Sequence, residues 1–163
     1  MDENGRIVRE SLEYAEQLYG KPLAPAAFHV EEAFKASHTD WDRAKNHVTI
    51  QIPLNMNQVD RKGQLAYEAF HVFSPATRNE ATYFGEGLAT LLAIEQRNYH
   101  PFPNDIKYRE AVSLVRRLIA MCPDSVEKLL SARKRIALVT ADDIAAICKD
   151  FPASDAQHLV RKF

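Results

Sequence analysis

Leu65-Ala66-Tyr67-Glu68-Ala69-Phe70-His71-Val72-Phe73 is the stretch on which the reading of this chain turns. Its apolar residues recur at helical spacing, and Ser74-Pro75 closes it, because proline cannot continue a helix. A helix over 64–73 follows. On it, Tyr67 and His71 stand one turn apart on the same face, with Glu68 beside them. A second stretch, Phe84-Gly85-Glu86-Gly87-Leu88-Ala89-Thr90, lies in a helix predicted over 79–97, with Asn79 as N-cap and Phe84, Leu88, Leu91, Leu92 and Ile94 as apolar stripe. An interior glycine costs about 1 kcal/mol relative to alanine, so two of them flanking one carboxylate imply that another backbone or a ligand approaches closely. Glu86 is then turned inward, on the side of Thr82, Tyr83, Ala89, Thr90 and Ala93, against the neighbouring helix.

Working outward, residues 6–19 read as an amphipathic helix stopped by Gly20, and 26–34 as a strand. The polar segment 35–46 reads as a loop whose Trp41 plugs a core edge. His47-Val48-Thr49-Ile50-Gln51-Ile52-Pro53-Leu54 alternates apolar and polar residues, as a half-buried strand does. The polar stretch 55–63 leads into the helix at 64. Beyond Pro103, helices are predicted over roughly 105–121, 124–134, 140–149 and 154–162. There is no internal repeat, low-complexity tract or linker. The expected architecture is α+β, a small antiparallel or mixed sheet packed on the 64–73 helix and followed by a mainly helical part. It forms one domain over 1–163, with helix and sheet in 1–60 and the remaining helices in 61–163.

The whole chain has 163 residues, 46% hydrophobic and 26% charged, with a formal net charge of -1. That balance points away from disorder and from a nucleic-acid partner. The basic run Arg133-Lys134-Arg135 lies beside Glu127 and Lys128 and reads as a solvated helix face. Charge throughout the first twenty residues leaves no room for a signal segment, and no run reaches the ~20 apolar residues of a membrane span. The expectation is a cytoplasmic protein with no membrane partner. Cys122 and Cys148, far apart in sequence, read as buried thiols.

In the pattern HExxH, two imidazoles one helical turn apart face one zinc ion while the glutamate reaches a metal-bound water. Here the segment is Tyr67-Glu68-Ala69-Phe70-His71, with tyrosine at the first histidine position. Together with Glu86 in its Glu-Gly-Leu-Ala context, it resembles the zincin-like metallopeptidases of the gluzincin group, particularly their minimal forms, over roughly residues 45–97. The resemblance implies His71 and Glu86 as metal ligands, Glu68 as general base and Tyr67 at the place of the missing ligand. It also implies that His47–Leu54 corresponds to the edge strand that pairs with substrate backbone.

A neutral phenol, with an ordinary pKa of ~10, is a far weaker zinc ligand than imidazole. The expected protein is therefore a degenerate peptidase, a pseudoenzyme without cofactor, that binds a peptide or protein partner in a former active-site cleft. In its metal-free cluster two carboxylates would repel, unless Tyr67 donates a hydrogen bond and His71 is protonated between them. The alternative is a weak metallopeptidase with zinc on His71, Glu86 and Tyr67, the metal site being rescued by a tyrosinate or by His29, His38, His47 or His100. A third reading, an accidental resemblance, requires that the two helices do not pack together. Tyr83, Tyr99 and His100 are further candidates for stabilising an oxyanion, and His158 reads as a surface or core-edge residue.

Overall fold

A computed structural model describes residues 2–22, 25–133 and 135–163. Asp2 opens α1 (Glu3–Tyr19) by accepting a hydrogen bond from the Gly5 amide, and Gly20 ends the helix with φ 86°, a backbone conformation natural to glycine. β1 (Ala27–Ala33), β2 (His38–Asp42) and β3 (His47–Pro53) form a mixed sheet in the order β1-β3-β2, with β1 parallel and β2 antiparallel to β3. The segment read as a loop over 35–46 thus contains an edge strand. Its His-Thr-Asp-Trp-Asp sequence lacks the apolar alternation that marks a strand, because neither face of β2 is deeply buried. Trp41 sits half-buried at the edge of the sheet's core, its Nε1 donating to Asn46 Oδ1 at 3.1 Å.

β3 is the middle strand, so its backbone is paired on both sides. The expectation that His47–Leu54 is the free edge is therefore overturned; at that end of the sheet the free edge belongs to β2.

α2 (Gln58–Phe73) begins two turns before the expected residue 64. Asn57 caps it, accepting from the Asp60 amide at 2.9 Å, and its first turn is polar because it has nothing apolar to face. Gly63 lies inside this helix, where the Tyr99 ring fills the space a side chain would need. From Leu65 on, α2 divides its faces. Leu65, Ala69 and Val72 pack with Ile7 and Val8 of α1 and with Val48, Ile50 and Ile52 of β3; Ala66, Phe70 and Phe73 pack into a larger core of helices. α2 is consequently the wall between sheet and helices.

A short 3-10 turn over Arg78–Glu80 precedes α3 (Tyr83–Arg97). Thr82, not the expected Asn79, is the N-cap of α3, accepting from the Gly85 amide at 3.2 Å. Four helices follow: α4 (Ile106–Met121), α5 (Ser125–Arg133), α6 (Ala141–Ile147) and α7 (Ala153–Leu159). The architecture is α+β, with a small mixed sheet and a mainly helical remainder. No helix among the described residues is long and apolar enough to cross a membrane.

The two cysteines are not free thiols. Cys122 caps the C-terminus of α4 and Cys148 that of α6, and packing of these helix ends joins them in a disulfide across 26 residues. Sequence distance concealed this pairing. Such bridges persist in oxidising compartments and are kept open in the cytosol, so the bridge lends no support to cytoplasmic residence.

Candidate functional site

The third edge of α2, left over by its two packing faces, carries Tyr67, Glu68 and His71 into a cavity of about 230 Å³. α2 and α3 pack against each other, which brings Glu86 from the first turn of α3 to these side chains. Burial is nearly complete for Glu68 and Glu86, at 2% and 8% exposed, which makes an unpartnered charge at either expensive.

The polar groups instead satisfy one another. The Tyr67 hydroxyl donates to Glu86 Oε2, while His71 Nε2 lies 3.9 Å from Glu86 Oε1. Glu86 also benefits from its place near the α3 N-terminus, where the helix dipole favours negative charge. Gln64, one turn before Glu68, donates to its Oε1 at 2.9 Å. Burial, and secondarily the Glu86 charge, push the Glu68 carboxyl up to about 8 despite that hydrogen bond. At neutral pH Glu68 is therefore mostly protonated. Tyr67 is held well above its ordinary range by burial and then by the Glu86 and Glu68 charges, so it stays a neutral donor.

An aromatic wall borders this cluster. Tyr67 meets Phe102 and Tyr108 edge-on, and Phe102 stacks on Tyr108 with ring centroids 4.2 Å apart. Burial and the Glu86 charge raise Tyr108 to about 12. His38 and Thr39 of β2 also line the cavity. Glu80 lines it as well and is held by Arg135, which is only 13% exposed. The arginine pairs with both oxygens of Glu80 at 3.1 and 3.0 Å, donates to Pro75 O and stacks 4.8 Å over Trp41. This clasp holds Glu80 down at about 2. Arg135 is thus not part of a solvated face, while Arg133 pairs with Asp143 at 2.9 Å; Lys134 lies outside the described residues.

The two glycines around Glu86 have different reasons. A Cβ on Gly87 would stand 2.6 Å from the Ala111 carbonyl oxygen and 2.7 Å from Val115 Cγ2, so the close approach inferred from the sequence is that of α4. At Gly85 a Cβ would meet only Thr82 Oγ1, at 3.7 Å, and the residue lines the cavity. Close packing explains one glycine; the other keeps the cavity open beside Glu86.

The sequence-level candidates divide accordingly. Tyr67, Glu68, His71 and Glu86 are gathered in one place. His38 borders the same cavity, its Nδ1 3.3 Å from the Ala36 carbonyl. His29 and His47 instead contact each other on the outer face of the sheet. His100 accepts the Phe102 amide at 3.1 Å, Tyr99 packs on Gly63, and Tyr83 lies between His158 and Phe163; none of these lines the cavity. Tyr108, Phe102 and Gln64 escaped sequence reading. Gln64 alone carried a usable signal, standing one helical turn from Glu68 on the face that turns inward.

Zinc held by three protein ligands does not fit this donor set. Among the described residues no group of three or more His, Cys, Asp or Glu side chains is placed to hold a metal ion. His71 and Glu86 supply two donors, and the third position is a phenol that donates its proton to Glu86.

Comparison of the chain with family models, with curated proteins and with solved structures finds no match in any of the three.

Proposed function

We propose that this chain is a zincin-like protein without catalytic metal, a pseudo-peptidase whose cleft between β2 and the α2/α3 pair receives an extended segment of a peptide or protein partner. The observation that carries the reading is the hydrogen bond from Tyr67 to Glu86. In it the side chain at the place of a first metal ligand satisfies the residue at the place of another, so the buried cluster needs no cation. The β2 edge supplies backbone groups for strand addition, and Phe102 and Tyr108 supply apolar surface in the same cavity.

Replacing Tyr67 by histidine tests the ancestry this reading assumes. The expected result is that Tyr67→His, at unchanged fold by circular dichroism, gains one zinc per chain that is lost again in Tyr67→His/His71→Ala. Failure to gain zinc would leave the zincin relation without support. A wild-type protein purified without added metal that carries one tightly held zinc, removed by His71→Ala, would establish the alternative of a weak metallopeptidase. For binding, nuclear magnetic resonance titration with a library of extended peptides is expected to perturb residues 37–39 and 81–86. Perturbation confined elsewhere would place the partner on another surface.

A further inference from the structure

The face of the sheet turned away from α2 carries its own side-chain chemistry. β3 alternates, with Val48, Ile50 and Ile52 in the core and His47, Thr49 and Gln51 on the outside. The parallel register sets His29 opposite Thr49 and Glu31 opposite Gln51, so His29 and His47 are diagonal neighbours on this outer face. Their rings meet: His29 Nδ1 lies 2.6 Å from His47 Nε2, with ring centroids 4.9 Å apart. The other nitrogen of His29, Nε2, is 2.8 Å from Glu31 Oε1, and Gln51 Nε2 donates to Glu31 Oε2 at 3.4 Å.

The hydrogen bonds from His29 and Gln51 hold the Glu31 carboxyl below its ordinary range, and an ionised carboxylate only accepts, so His29 Nε2 carries the proton. At 2.6 Å there is room for only one hydrogen between His29 Nδ1 and His47 Nε2. Two imidazole nitrogens thus converge on one hydrogen, with one ring oriented from behind by a carboxylate and that carboxylate held by an amide. A metal-binding histidine is supported in the same way, by a carboxylate on its second nitrogen that fixes the tautomer and raises the basicity of the first.

We propose that His29 and His47 form a surface site for a divalent transition cation of the zinc, nickel and copper class, oriented by Glu31. Imidazole nitrogen suits these ions. Metal–nitrogen distances of about 2.0 to 2.1 Å in tetrahedral geometry place two donors roughly 3.3 Å apart, so the rings must separate by less than about 1 Å. The side chains of His29 and Glu31 are about half exposed, at 47% and 49%, which leaves room for that adjustment. Asp42, directly opposite His47 in the register of β2 and β3, is already engaged by Lys45, whose amide donates to its Oδ1 at 3.2 Å, so His29 and His47 are the two protein donors. Water completes the coordination. A cation here ties β1 to β3, and it shares no ligand with the cleft cluster of Tyr67, Glu68, His71 and Glu86.

Isothermal titration of the chelator-treated full chain with Zn²⁺ and, separately, Ni²⁺ tests the site. One ion per chain is expected, with affinity falling by more than ~10-fold in His29→Ala and in His47→Ala and by about 10-fold in Glu31→Gln. His71→Ala should leave it unchanged. Added Zn²⁺ should also raise the melting temperature of the wild type but not of His29→Ala, by mass action on the folded state. Absence of binding, or binding unaltered in both His29→Ala and His47→Ala, overturns the site. Binding lost only with His71→Ala overturns it as well, by moving the ion into the cleft.

Discussion

The cleft and the outer face of the sheet each hold histidine beside glutamate, and the same residue types behave oppositely in the two places. In the cleft Glu68 is buried, receives one hydrogen bond from Gln64 and is pushed up to about 8, so it is kept neutral. On the sheet Glu31 is half exposed, receives hydrogen bonds from His29 and Gln51 and lies below its ordinary range. Solvent decides the difference. Water stabilises a carboxylate that the α2/α3 interior leaves uncompensated, so the interior holds its proton while the surface keeps the charge. A buried cluster of this kind closes on itself, as Tyr67 and Glu86 do. An exposed pair of imidazoles keeps its nitrogens within reach of an ion from solution.

The largest effect expected from breaking this contrast is at Glu68. A carboxyl whose folded pKa exceeds its unfolded value binds more protons folded than unfolded between about 4.5 and 8, so stability falls as pH rises through that window. Glu68→Gln, which keeps the hydrogen-bonding shape without the charge, should remove this slope and stabilise the protein by roughly 4 kcal/mol at pH 8 and little at pH 4. Glu31→Gln should leave the slope over that window unchanged, because the Glu31 carboxyl lies below its ordinary range and is ionised throughout it. Urea unfolding at a series of pH values measures both, and an unchanged slope in Glu68→Gln would show that the carboxyl is solvated.

The next effect separates the two glycines. Gly87→Ala forces a methyl group into the Ala111 carbonyl of α4 and should destabilise by about 2 kcal/mol in chemical denaturation. Gly85→Ala meets only ordinary contact, and the smaller conformational freedom of alanine in the unfolded chain should stabilise by roughly 0.5 kcal/mol while narrowing the cleft. Equal effects at the two positions would contradict the close approach of α4 at Gly87 alone.

Strong periodicity made much of the fold legible. The helices over 6–19 and 79–97 and the strand over 47–54 were readable because one face of each is buried. The start of α2 and the strand at His38–Asp42 were not, since the α2 start is solvated and β2 has no deeply buried face, so neither leaves an apolar pattern. At the site, Glu86 could be singled out by the cost of its two flanking glycines in a helix, whereas Tyr67, Glu68 and His71 could be named only through the resemblance of their segment to HExxH. Phe102 and Tyr108 could not be named, because loop and helix ends distant in sequence bring them there, and nothing local encodes that arrival.

The sequence by itself determined the α+β class, the helix pair and the inward turn of Glu86, since these follow from local periodicity and from residue chemistry. Only the tertiary structure decided that Cys122 meets Cys148, that β3 is central and β2 the edge, that Tyr67 donates to Glu86 and that His29 meets His47. Each of these is a pairing between elements. A pairing depends on how buried faces pack in three dimensions, which the spacing of residues along one element does not contain.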